Sequence, residues 1–314
     1  PNHRLLIPSN YIFLFFSSYV SYFLSLTCTT CGGRSKNRLC NARWLRWRCG
    51  CSSETNQLLE QPIDFDLAAL PSPSPKMVAQ NFEVDLKKPL VFQVGHLGEA
   101  YEEWVHQPIL SKEGPRFFKS DFMEFLTRTV WWAVPTIWLP VVCYSISVSA
   151  RKGLAPSHVV LLVVLGLFIW TLTEYTLHRF LFHVKTSSYW ANTLHYLIHG
   201  CHHKHPMDSL RLVFPPAATA ILLVPFWNLI KLSSTPSTAP ALLGGLLLGY
   251  VMYDCTHYYL HHGQPKSNAP KNLKKYHLNH HYRIQNKGFG ITSPLWDTIF
   301  GTLPPSLAGG AKSS

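Results

Sequence analysis

Four apolar stretches organise the chain beyond its first third, at residues 130–148, 158–177, 213–230 and 239–259. At ~1.5 Å rise per residue, about 20 residues cross a hydrocarbon core of ~30 Å. The runs are too long for most soluble cores, so they predict membrane-crossing helices. Ala150-Arg151-Lys152-Gly153, with Pro156 just beyond, separates the first two. Ser233-Ser234-Thr235-Pro236-Ser237 separates the last two. Short polar breaks marked by Gly or Pro predict two helical hairpins. The third stretch carries Pro215, Pro216 and Pro225 and is expected to be kinked or partly re-entrant.

The rest of the chain divides around these spans. Residues 77–126 mix charges with aromatics and predict a soluble or interfacial segment. Residues 1–76 read differently. An apolar run at 11–26 is short and rich in Ser and Tyr, a basic stretch follows at 34–48, and a stiff Pro-Ser linker at 71–75 stands directly before Met77. A targeting signal or extra membrane segment is one reading of this region. The expectation here is upstream, disordered sequence outside the working domain. The membrane domain is expected at 127–305, with a flexible tail at 306–314.

Composition supports a lipid-facing surface. Charged residues make up only 14% of the chain against 47% hydrophobic, well below the roughly 25% charge of soluble domains. The net charge of +12 fits an anionic membrane surface. The basic residues form no continuous stripe, which argues against nucleic acid as a partner. Cys28, Cys31, Cys40, Cys49 and Cys51 crowd into the start of the chain, but their spacing does not match a zinc finger. Cys143, Cys201 and Cys255 are scattered, unlike a disulfide framework.

Histidine is the outlier: 13 of the 17 lie between His178 and His281. Ten fall into four boxes: His178 and His183; His199, His202 and His203; His257 and His261; His277, His280 and His281. Residues three and four apart share a helix face, so the members of each triplet are expected to point the same way. His178 and His183, five apart, need a helix end or bend to converge. Two spans separate the first two boxes from the last two, and an even number of crossings returns the chain to the same side. That side also carries Arg179, Lys185, Lys204, Arg211, Lys266, Lys271, Lys274, Lys275, Arg283 and Lys287, against Arg151, Lys152 and Lys231 opposite. The positive-inside rule makes the histidine side cytosolic. Ten imidazoles suit two transition-metal ions, and imidazole disfavours Mg and Ca. The expected fold is therefore an all-α integral membrane protein with four transmembrane helices and a histidine-rich di-metal cap. Glu174 and Asp254, ionisable groups at the membrane boundary, are expected to anchor ligand rings. His195, His205 and His262 are expected around the ligands or at the surface. Tyr253, Tyr258 and Trp296 are candidates to line an acyl groove.

The boxes resemble those of the fatty acid hydroxylase/sterol desaturase superfamily of membrane di-iron oxygenases, and most closely plant-type fatty acid 2-hydroxylases. The resemblance runs from Met77 to about Pro305. It includes Val84-Asp85-Leu86-Lys87-Lys88-Pro89, Gly95-His96-Leu97-Gly98, Tyr101-Glu102-Glu103-Trp104-Val105-His106, His199-Gly200-Cys201-His202-His203-Lys204-His205-Pro206 and Ser293-Pro294-Leu295-Trp296-Asp297. It implies two iron ions, with zinc able to occupy the same sites in purified samples, and O2 as co-substrate. It implies hydroxylation at C2 of a very-long-chain acyl group, usually the N-acyl chain of ceramide, in the endoplasmic reticulum membrane. Relatives with a fused cytochrome b5 domain carry a His-Pro-Gly-Gly motif, whereas His96 here is followed by Leu97-Gly98. Separate cytochrome b5 and its reductase are then the implied electron donors. A desaturase or sterol oxidase of the same superfamily is an alternative that the boxes do not separate. A metal transporter is a second, but transporters place ligands near the bilayer midplane, whereas these histidines cluster at span ends.

Overall fold

The computed structural model describes residues 82–304 apart from Lys112. The expectations for residues 1–76 and 306–314 lie outside the described residues. Every regular element among those described is helical. Three short α-helices come first, α1 (Val91–Val94), α2 (Tyr101–Val105) and α3 (Asp121–Leu126), with a 3-10 helix at Gly95–Ala100 joining the first two. Two long ones follow, α4 (Ala133–Arg151) and α5 (Pro156–Thr176). α5 continues without a break into a π-helical turn, Leu177–Phe182. Helix α6 (Tyr189–His195), a second π turn (Tyr196–Gly200) and α7 (Cys201–Lys204) follow. The remainder is α8 (Pro216–Ser233), α9 (Ala239–His262), α10 (Asn268–Tyr282) and α11 (Leu295–Ile299).

Four of these are long and apolar enough to cross a membrane: α4, α5 with its π turn, α8 and α9. They pair as two hairpins whose turns lie at the same end, where the Lys152 ammonium donates to the Pro236 carbonyl at 2.9 Å. α9 is the central span, 72% buried, and packs on α5 and α4. Glycine makes that packing close. A Cβ on Gly166 would lie 2.4 Å from the Leu242 carbonyl oxygen, and one on Gly245 would lie 2.2 Å from that of Val163. Small residues that let backbones approach are how helices associate in lipid, where no hydrophobic force drives them together.

α8 is only 11% buried, leaving an exposed apolar surface of the kind that faces lipid. Of the two expectations, kinked or partly re-entrant, it is not re-entrant: it runs as one 18-residue helix with Pro225 inside. Pro216 sits at its first turn, where no amide donor is required. The helix is pinned at the histidine end. Asp254 accepts from the Phe214 amide at 3.0 Å and from the Tyr250 hydroxyl, which also meets Thr219.

The segment before α4 is bound into the same cap. Glu124 accepts from the Phe117 and Phe118 amides and from Arg128 and Arg211. Arg211 also pairs with Asp208 at 2.8 Å and lies over the Phe117 ring. One buried carboxylate thus ties α3 to the Phe117-Phe118 segment ahead of it and to the loop that feeds α8.

Candidate metal centre

All ten box histidines meet at the cap end of the spans. They form two groups of five, and within each group the ligand atoms lie within 4.8 Å of one another. The first group is His178, His183, His199, His203 and His280. The second is His202, His257, His261, His277 and His281. The expectation that each triplet points one way is corrected. His202 leaves His199 and His203 to join the second group, and His280 leaves His277 and His281 to join the first.

The cause is helix geometry. From a given residue, i+4 lies about 40° to one side and i+3 about 60° to the other, so the two aim about 100° apart. The i, i+4 pairs His199/His203 and His277/His281 each serve one group, and each i+3 member crosses to the other. The groups are interlocked as a result. His203 and His281, from different groups, stack at 4.4 Å between ring centroids.

His178 and His183 converge through the π turn that joins them. Its i→i+5 hydrogen bonding carries a residue back over the one five places earlier. The hydroxyl-free, wide turn thereby solves the spacing that an ideal α-helix could not.

The donor set fits metal ions. His178 Nδ1 lies 2.6 Å from the Phe289 carbonyl and His280 Nδ1 lies 2.8 Å from that of Lys287. A carbonyl only accepts, so Nδ1 carries the proton in both rings and Nε2 offers its lone pair inward. Neither Nε2 has a protein partner, although both are buried; the same holds for Nε2 of His183 and His202. Leaving such groups unpaired is costly. The Nε2 atoms of His199 and His203 stand 3.0 Å apart, and those of His277 and His281 stand 3.1 Å apart. Two imidazoles bound at right angles to one ion, each at ~2.0–2.1 Å, come to about 3 Å from each other.

Burial is the main reason these rings stay neutral. It pushes His202 down to about 3, and His183, His199, His203, His277, His280 and His281 well below 6.5, with neighbouring imidazoles adding to the effect. The unfolded chain therefore takes up protons below pH 6.5 that the folded cap refuses. Stability rises with pH wherever the unfolded state binds more protons, so it is lost as the pH drops below 6.5. Metal-stripped protein in detergent should accordingly melt at a lower temperature at about pH 5 than at about pH 7. Equal melting temperatures would contradict the burial of the rings.

Two carboxylates act behind the ligands, in a way the sequence did not disclose. Among the described residues Glu174 makes no hydrogen bond to a histidine. It accepts from the Ile291 and Thr292 amides at 2.7 and 2.8 Å and from the Thr292 hydroxyl. Asp297, in α11, accepts from the Phe289 and Gly290 amides at 3.0 and 2.7 Å. Four successive amides are thus held by two carboxylates, and this loop presents the carbonyls that orient His178 and His280. Between those carbonyls Gly288 has φ +78°, a conformation L side chains rarely adopt. Asp254, likewise expected beside a ligand ring, bonds instead to Phe214 and Tyr250, as described above.

The three groove candidates separate. Tyr253 stacks on His257 with centroids 5.8 Å apart. Tyr258 lies against Trp131 and His262. Trp296 donates to Thr171 at 3.0 Å and packs on Phe168. A cavity of about 620 Å³ opens elsewhere, between residues 82–109 and Lys204, and none of the three lines it. His195 is buried, His205 is buried beside Lys204, and His262 packs on Tyr258. His106 was missed as a site residue. Its ring lies parallel to that of His183 at 5.9 Å and edge-on to that of His203 at 5.2 Å. It stands alone in sequence, so no spacing could have singled it out.

Comparison with known proteins agrees with this geometry. The family model described as fatty acid hydroxylase matches residues 163–302. A dihydroceramide fatty acyl 2-hydroxylase of Arabidopsis thaliana is 72% identical over 237 residues, covering 76% of this chain and 100% of the relative. The fatty acid 2-hydroxylase of Homo sapiens is 44% identical over 244 residues, covering 71% of this chain and 65% of its own. The solved structure of full-length scs7p, with only its hydroxylase domain visible, superposes with a TM-score of 0.67 at 41% identity, covering 71% of this chain and 86% of that one. With four apolar spans, two five-histidine groups and a full-length relative at this identity, the chain belongs to the fatty acid hydroxylase family.

Proposed function

We propose that the chain is a membrane monooxygenase that hydroxylates C2 of a very-long-chain fatty acyl group, as the N-acyl chain of ceramide or dihydroceramide. The observation that carries this is the pair of interlocked histidine groups at the ends of the spans, in a chain of which 76% matches the full length of a plant dihydroceramide fatty acyl 2-hydroxylase. Each group would hold one metal ion, and iron is the ion that suits the chemistry. A redox-active pair of metals supplies the activation of dioxygen that no side chain can provide. Overall, the C–H bond and O2, with two electrons and two protons, give C–OH and water.

The protein's own part is placement and exclusion. The carbonyls of Phe289 and Lys287 hold two rings in the ligating tautomer. The stacked His203 and His281 keep the two groups in register. Tyr253, packed between His257 and Trp170, is the groove candidate nearest the second group. Separate cytochrome b5 and its reductase would deliver the electrons. The excess of Lys and Arg on the cap side favours a cytosolic cap in the endoplasmic reticulum membrane. Residues 77–305 would suffice for activity.

Lipid analysis of cells with and without the chain tests the reading. The expected product gains one oxygen at C2; a product lacking two hydrogens would make the chain a desaturase and overturn it. Activity across preparations should follow iron content. Zinc has no redox cycle, so zinc-loaded protein should be inactive, and activity rising with zinc at constant iron would rule out oxygenation.

A further inference from the structure

His183 is the one histidine of the first group that is half-buried; the other four are buried. It follows the π turn directly, and its Nε2 meets no protein partner. His178 and His280 are oriented through ring hydrogen bonds to carbonyls; among the described residues His183, like His199 and His203, has no such bond.

A buried relay meets its backbone instead. His195 Nε2 lies 2.6 Å from the carbonyl oxygen of Phe182, the residue just before His183. That carbonyl closes a helix, so it has no partner further along the helix. A carbonyl only accepts, which puts the proton of His195 on Nε2. Nδ1 then has a lone pair, and the Tyr101 hydroxyl lies 2.7 Å from it and must donate. Direction is therefore fixed from end to end: Tyr101 hydroxyl to His195, His195 to the Phe182 carbonyl. Tyr101 is fully buried and His195 nearly so. Gly200, in the second π turn, leaves room for the contact, since a Cβ there would lie 2.3 Å from the Tyr101 oxygen.

We propose that Tyr101 and His195 are positioning residues for the first metal group, locking the peptide unit between Phe182 and His183 so that the His183 ring faces its four partners. The inference rests on the reading of that group as a metal site. It assigns a part in the centre to α2, which lies outside the residues matched by the family model. The relay's hydrogen bonds reach the metal group through the Phe182 carbonyl, in the backbone.

Tyr196 provides an internal control. It is a fully buried tyrosine in the same core as Tyr101, but its hydroxyl has no hydrogen-bond partner. Tyr101→Phe and Tyr196→Phe thus delete the same atom from neighbouring places, and only the first breaks the relay.

The test is metal content and the rate of metal loss to a chelator, measured on full-length protein purified in detergent and matched for thermal stability. Loss of partners behind a ligand typically weakens metal binding by about 10–100-fold. Tyr101→Phe should release about half of its metal at least ~10-fold faster than wild type, with the other half at the wild-type rate. Tyr196→Phe should release all of it at the wild-type rate. His195→Gln keeps an N–H for the Phe182 carbonyl and should retain more metal than His195→Ala. Wild-type release from Tyr101→Phe, or equal acceleration by Tyr196→Phe, overturns the proposal. A wild-type chain that binds no metal at all overturns the metal reading beneath it.

Discussion

Hydroxylation should fall to background when either His203 or His281 is replaced by alanine, and the double variant should be no worse. These residues belong to different groups of five, yet their rings stack at 4.4 Å. On the proposed reading both groups serve one reaction, so removing a ligand from either removes the whole. Groups that act as a unit behave in this non-additive way. The exchange of i+3 members sharpens the expectation. His202 and His203 are adjacent in sequence but serve different groups, so His202→Ala and His203→Ala should each lose metal from a different position. His158→Ala, at the far end of the second span, should leave activity unchanged. Protein levels must be matched, because a lost ligand can also unfold a metal-stapled cap. A well-folded His281→Ala protein that still hydroxylates would overturn the shared centre.

Glu174→Ala should be comparably damaging through a different route. The substitution strands two backbone amides and one hydroxyl in a buried loop. A buried donor left without a partner costs ~1–3 kcal/mol. Even with partial compensation the loss is several kcal/mol, a large part of the ~5–15 kcal/mol that holds a domain folded. The loop at 288–292 should loosen, taking from His178 the Phe289 carbonyl that orients it. Glu174→Ala should therefore yield little monodisperse protein in detergent, and what survives should hold less metal. Glu174→Gln retains one oxygen as acceptor and should fall between the alanine variant and wild type. Wild-type melting temperature and metal content in Glu174→Ala would show that the carboxylate does not support the loop.

Much of this was legible beforehand, because the signals are local. Length and hydropathy mark a span wherever about 20 apolar residues run together, and all four expected spans appear within a few residues of their predicted ends. The ten ligand candidates were legible because spacings of three and four repeat along helices. Parity of crossings placed both halves of the set on one side.

Other features depend on where distant segments end. Glu174 was expected beside a histidine because it stands one helical turn before His178, but its partners, Ile291 and Thr292, come from the other end of the domain. Asp297 and His106 gave no periodic signal of their own. The π turns after α5 and α6 replace the α-helical geometry on which spacing arguments rely.

By itself, then, the sequence determined the number of spans, the side on which the histidines gather and the residue types available to a metal, since hydropathy, charge and helical period act over one or two turns. Tertiary structure alone decided which five rings share a position, which tautomer His178 and His280 adopt and which carboxylates hold their carbonyls. Some of those outcomes are set by contacts between segments more than a hundred residues apart, Ile291 with Glu174 and Phe289 with His178, and others by an irregular loop that brings Lys287 to His280 and Phe289 to Asp297; no helical period encodes either kind.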